Sequence, residues 1–206
     1  EKLNDFDYLI QNFYQVDSTT TINSSQLNAD ALLGKDLRLS HDASTPQILI
    51  YHTHSQEGYA DSVPGDASTS VVGVGDYLSK LLTEQYGFNL IHHKGEYDVG
   101  DRDHAYSKAG PGLEAVLAEN PWVEVVIDLH RDGVAESTRL VTQVNGIEMA
   151  QVMFFNGLSR TTAMGDIDYL YNPYIADNLA ISFQMQLKAA EYYPGFTRRI
   201  YLKGYR

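Results

Sequence analysis

Two short apolar runs rich in β-branched residues decide what this chain can fold into. Gln47-Ile48-Leu49-Ile50-Tyr51 and Val123-Glu124-Val125-Val126-Ile127-Asp128-Leu129 are bounded by turn residues and read as buried strands. Between them Val71, Val74, Leu78, Leu81 and Leu82 recur at helical spacing, with Gly87 as the stop. Residues 88–92 are expected to form a further strand, and residues 112–119 a short helix ended by Pro121. Strand, helix, strand, helix, strand is the order of a parallel sheet with covering helices.

The flanks are less regular. Phe6, Leu9, Ile10 and Phe13 predict a helix near the start, followed by a polar, irregular stretch over residues 16–44. Beyond residue 130 the pattern changes. Residues 138–144 and 148–155 flank Asn145-Gly146, a strong hairpin signal. Residues 159–172 read as a polar loop and residues 175–193 as the longest helix, closed by Pro194-Gly195; a last short strand is expected over 198–202. The fold class predicted is α/β: a mostly parallel twisted sheet with helices on both faces and an antiparallel edge hairpin. Residues 1–45 are read as an N-terminal helix and lead-in, and residues 46–206 as the α/β domain.

Composition narrows the chemistry. The chain has 206 residues, enough for a sizeable core. It has no cysteine, which removes disulfides and thiolate metal ligands. A net charge of -12 argues against nucleic acid or anionic membranes as partners. No run approaches the roughly 18 apolar residues of a membrane span, and the chain begins with the polar Glu1-Lys2-Leu3-Asn4-Asp5. If the parent protein is exported or anchored, the segment responsible lies outside this sequence.

Each of the two main strands delivers imidazole and carboxylate just past its last apolar residue. The first is followed by His52, His54 and Glu57, the second by His130, Arg131 and Asp132. In α/β sheets, sites form at the carboxyl ends of strands, and imidazole with carboxylate is the donor set zinc accepts when no thiolate is offered. A single histidine of this kind more often satisfies a backbone group nearby. Three ligand-type residues within six positions, with a second histidine ending the other strand, shift the balance toward a metal. Asp128 falls on the same face as His130 in an extended strand and could orient it. Arg131 either pairs with Asp132 or holds a substrate carboxylate bidentately. His92 and His93 end another strand without a carboxylate at short spacing and read as its half-buried end. His41 and His104 lie in polar loops with no sign of a site.

These segments resemble the stage II sporulation protein P family of peptidoglycan hydrolases. The resemblance rests on His52-Thr53-His54-Ser55-Gln56-Glu57-Gly58-Tyr59, Val72-Gly73-Val74-Gly75-Asp76, Asp128-Leu129-His130-Arg131-Asp132-Gly133, Asn172-Pro173-Tyr174 and Tyr193-Pro194-Gly195. That family is similar to the zinc-dependent N-acetylmuramoyl-L-alanine amidases, and the resemblance implies an amidase-like fold. It implies cleavage of the amide between N-acetylmuramic acid and L-alanine in sporulation-related wall remodelling. It also implies zinc held by His54, Glu57 and His130, with His52 in reserve as a ligand. Peptidoglycan is the implied substrate, and the sporulation lytic transglycosylase, stage II sporulation protein D, the implied partner. An extracytoplasmic, membrane-anchored location follows from the same resemblance. A zinc endopeptidase acting on cross-links, or a weakly catalytic wall-binding module, are the alternative readings.

One departure bears on catalysis. Amidases of this kind carry a further glutamate on a late strand as general base, and no Asp or Glu follows Glu191 here. The expectation is therefore of a domain lacking its C-terminal segment and of low activity compared with a longer chain. Otherwise Glu57 or Asp132 must move the proton.

Overall fold

The computed structural model describes residues 2–205. In chain order its elements are α1 (Phe6–Phe13), β1 (Tyr14–Val16), α2 (Ala29–Gly34), β2 (Ile48–Tyr51), α3 (Val71–Glu84), β3 (Leu90–His92), α4 (Ala105–Glu119) and β4 (Val125–Asp128). Then follow β5 (Val141–Val144), β6 (Ile147–Ala150), β7 (Phe155–Gly157), β8 (Arg160–Thr161), β9 (Gly165–Asp166), α5 (Ile175–Tyr192) and β10 (Ile200–Lys203). The chain divides into two compact units. One is Arg38–Ala135; the other joins the residues up to Leu37 with those from Glu136 onward.

The Arg38–Ala135 unit holds the strand, helix, strand, helix, strand core. β2 lies between β3 and β4 and pairs in parallel with both, Ile48 facing Leu90 on one side and Val125 on the other. Ile48, Leu49 and Ile50 are all buried, as a central strand of β-branched and aliphatic residues requires. Parallel neighbours need a crossover, and α3 and α4 supply the two. The Ser70 hydroxyl caps α3 by accepting from the Val72 N–H. Gly87, with φ 73°, turns the chain toward β3. α4 starts earlier than the sequence pattern indicates, at Ala105 rather than 112, and carries Pro111 inside it. Ala105 and Ala109 are buried, so tertiary packing draws a charged stretch into the helix against its local signal. Because the three strands run the same way, the residues that follow them collect at one edge of the sheet.

The other unit has a parallel sheet of its own, with β10 between β1 and β7. Its core contains Leu9, Leu27, Leu158, Leu179, Ile200 and Leu202. Phe183 of α5 stacks on Tyr14 at 6.0 Å and meets Phe13 edge-on at 5.5 Å. The expected lead-in thus supplies core residues here. Two expectations are corrected. Among the described residues there are two three-stranded parallel sheets, not one continuous mostly parallel sheet. The Asn145-Gly146 hairpin forms, with φ 52° and 80° at its turn, but β5 and β6 pair only with each other and edge neither parallel sheet. Val144 is the one buried residue of its two strands, and Ile147 is 64% exposed, so the hairpin has little apolar face to dock.

Candidate active site

The site forms where β2 and β4 end. Tyr51 pairs with Asp128 in register, so the next residues leave the sheet side by side. Glu57 N–H donates to the His54 carbonyl at 3.3 Å, closing the tight turn that puts both side chains together. The Glu57 carbonyl in turn accepts from Val71 N–H at 3.0 Å and ties this turn to the start of α3. Thr53 holds the other strand end: its N–H donates to Asp128 Oδ1 at 2.9 Å and its hydroxyl to Asp128 Oδ2 at 2.6 Å.

His54, Glu57 and His130, the three residues expected as ligands, lie near one another at these strand ends. The His54 and His130 rings lie 5.3 Å apart. His130 Nδ1 is 3.4 Å from Glu57 Oε2, and its Nε2 is 2.8 Å from Asp128 Oδ2. Glu57 is buried and receives two further donors: the Arg102 guanidinium on Oε1 at 2.7 Å and the Arg131 N–H on Oε2 at 2.8 Å. Burial would raise its pKa, but His130, Arg102 and the Arg131 N–H outweigh it and hold the carboxyl down at about 2. Burial likewise works against a charge on His130, and the two carboxylates beside it win, raising it to about 9. Asp128 is held low by His130 and Thr53 against its own burial.

His54 differs from the others. Its Nδ1 is buried and has no hydrogen-bond partner, the nearest carboxylate, Asp98, being 3.9 Å away. Burial, with the charges of Arg102 and His130, pushes it below the usual histidine value, so the ring is neutral. A buried, neutral imidazole with an unpartnered nitrogen wants an acceptor where that nitrogen carries the proton and a donor or a metal where it is bare.

The donor set suits zinc in its chemistry: one free imidazole nitrogen, one ionised carboxylate and a second imidazole. Each Glu57 oxygen accepts one N–H strongly, and a carboxylate has about four lone-pair sites, so acceptor capacity is left. As placed, however, no group of three or more His, Asp or Glu among the described residues is arranged around a common point. Both nitrogens of His130 face carboxylates. To ligate, it must give up one proton.

The remaining expected residues sit around this centre in different ways. His52 is fully buried and bonded to the Leu129 carbonyl and to His92. Arg131 reaches Glu57 through its backbone while the residue itself is exposed, and Asp132 is exposed beside it. Sequence reasoning missed Arg102, Asp98 and Tyr106. Asp98 is buried and accepts from the Ser55 hydroxyl at 2.9 Å and Gln56 N–H at 3.2 Å, bracing the histidine turn. The Tyr106 ring meets His54 edge-on at 5.3 Å, and its hydroxyl lies 3.5 Å from His130 Nε2. All three come from the stretch before and within the first turn of α4, whose charged sequence carries no local signal of a site.

The profile described as Stage II sporulation protein P matches residues 7–206. Stage II sporulation protein P of Bacillus subtilis (strain 168) is 23% identical over 171 residues, which cover 76% of this chain and 39% of that protein. No solved structure matches.

Proposed function

The chain belongs to the stage II sporulation protein P family, and from that premise we propose that it is a zinc-dependent peptidoglycan hydrolase cleaving the amide between N-acetylmuramic acid and L-alanine. The observation that carries the proposal is the buried His54 with its unpartnered Nδ1, the ring lying 5.3 Å from that of His130, which itself meets Glu57 at 3.4 Å. His54, Glu57 and His130 are the residues that would hold the metal. Zinc, when bound, supplies a Lewis acid for the scissile carbonyl and lowers the pKa of water toward ~7.

The chain's own residues prepare that centre. Asp128, fixed by both donors of Thr53, orients the His130 ring through Nε2. Arg102 and the Arg131 N–H keep Glu57 ionised inside a buried site. Those contacts also make Glu57 a weak proton acceptor, so Asp132 is the carboxylate we assign to proton transfer. The exposed guanidinium of Arg131 is assigned to a carboxylate of the stem peptide.

Products identify the reaction. Purified sacculi incubated with the zinc-loaded protein should release stem peptides with a free N-terminal alanine and leave muramic acid with a free carboxyl, both visible by mass spectrometry. A new terminus within the stem peptide would make the protein an endopeptidase. No release at full zinc occupancy, by this chain or by a C-terminally extended form, would reject a hydrolase.

A further inference from the structure

Behind the site lies a second histidine chain that the reaction does not use. His52 Nδ1 is 2.8 Å from the Leu129 carbonyl, which only accepts, so this nitrogen carries a proton. In the neutral ring Nε2 is then the acceptor, and His92 Nε2, 2.8 Å away, donates to it. His92 Nδ1 faces Asp76 Oδ1 at 2.9 Å, and donating to this carboxylate as well as to His52 makes His92 doubly protonated, a charge that burial opposes and the Asp76 carboxylate favours. Lys94 Nζ spans both Asp76 oxygens, 2.7 Å from Oδ1 and donating to the far Oδ2 at 2.9 Å. Helix α3 passes over the two rings at Gly75. A Cβ there would stand 2.6 Å from His92 Nε2 and 2.8 Å from His52 Nε2, so only a bare Cα leaves the rings room to bond.

We propose that His92 and Asp76 are positioning residues for the active site. They fix the buried His52 in the tautomer whose Nδ1–H holds the Leu129 carbonyl, and so set the peptide that carries His130. A buried ring serving only as filler would not need both nitrogens satisfied along a line leading out to Asp76. His52 is adjacent to Thr53, which grips Asp128. The end of β2 therefore clamps the end of β4 at two successive residues, and His54 and His130 meet across that clamp. The consequence for catalysis rests on the metal-hydrolase reading; the positioning itself does not.

The test separates the two. Ring-nitrogen NMR of the full chain should show His52 protonated at Nδ1 and bare at Nε2. His92→Gln keeps an N–H donor and should preserve this pattern together with the His130 ring shifts. His92→Leu and Gly75→Ala should scramble the His52 tautomer, move the His130 ring shifts and weaken zinc binding on the order of 10- to 100-fold. If His92→Leu does not fold, Asp76→Ala, at an exposed position, should move the same signals. His52 protonated at Nε2 in the wild type, or unmoved His130 shifts in Gly75→Ala and Asp76→Ala, would overturn the proposal. If the wild type binds no zinc, the functional reading falls, and His130 shifts that move with His92→Leu but not with His92→Gln still uphold the positioning chain.

Discussion

Glu57 concentrates the energetics of the site in one side chain. A buried carboxylate is costly unless it is paired and hydrogen-bonded, and here Arg102, the Arg131 N–H and His130 surround it. The next residue outward, Asp128, depends on Thr53, which is fully buried. Thr53→Val keeps the shape and deletes the hydroxyl donor. It should lower stability by about 1–3 kcal/mol in urea unfolding and loosen His130; unchanged stability would mean that Asp128 finds another partner. At this scale His54, Glu57 and His130 were legible, because each follows an apolar run that the sheet had to bury. Arg102, Asp98 and Tyr106 were not, because only the path of the chain into α4 brings them to strands distant in sequence. His52, the reserve ligand, bonds to Leu129 and His92, contacts between residues distant in sequence that no local pattern shows.

The elements carry different shares of the load. β2 is the centre of its sheet, and Leu49 is fully buried there. Leu49→Ala should cost about 2–5 kcal/mol, read from the urea midpoint, and should disturb both strand ends that bear histidines. Glu124, just before β4, receives the N–H groups of Ser40 and His41 at 2.9 and 2.8 Å and ties the segment leading to β2 against the entry to β4. Those backbone donors, Ser40 first, depress its pKa to about 2. The sign follows from linkage: a carboxyl lowered in the folded state adds stability that is present above its unfolded value, about 4.3, and is lost as pH falls toward 2. Carboxyl NMR should place the Glu124 midpoint near 2, and Glu124→Gln should remove that part of the acid dependence. A midpoint above 4 would contradict the contact. In the hairpin, Gly146 at φ 80° is the residue the Asn-Gly pair foretold. Gly146→Ala should cost about 1–2 kcal/mol, without touching the histidine site.

At the scale of the molecule, the strand, helix, strand, helix, strand order of Arg38–Ala135 could be read from periodicity, and the second sheet could not. β1, β7 and β10 are short, and their pairing joins the start of the chain to its end; such long-range pairing leaves no local pattern. The hairpin was recognised by its turn and misplaced for the same reason, since a turn specifies its own two strands and nothing about what they dock on. Among the described residues no helix is long and apolar enough to cross a membrane. The proposed function turns on the cluster that two parallel strands deliver to one edge of a sheet. Metal analysis by emission spectroscopy tests this most directly. The wild-type chain should carry one zinc, and His54→Ala and His130→Ala should each lose it while staying folded by circular dichroism. A His130→Ala protein with wild-type zinc content would contradict the account.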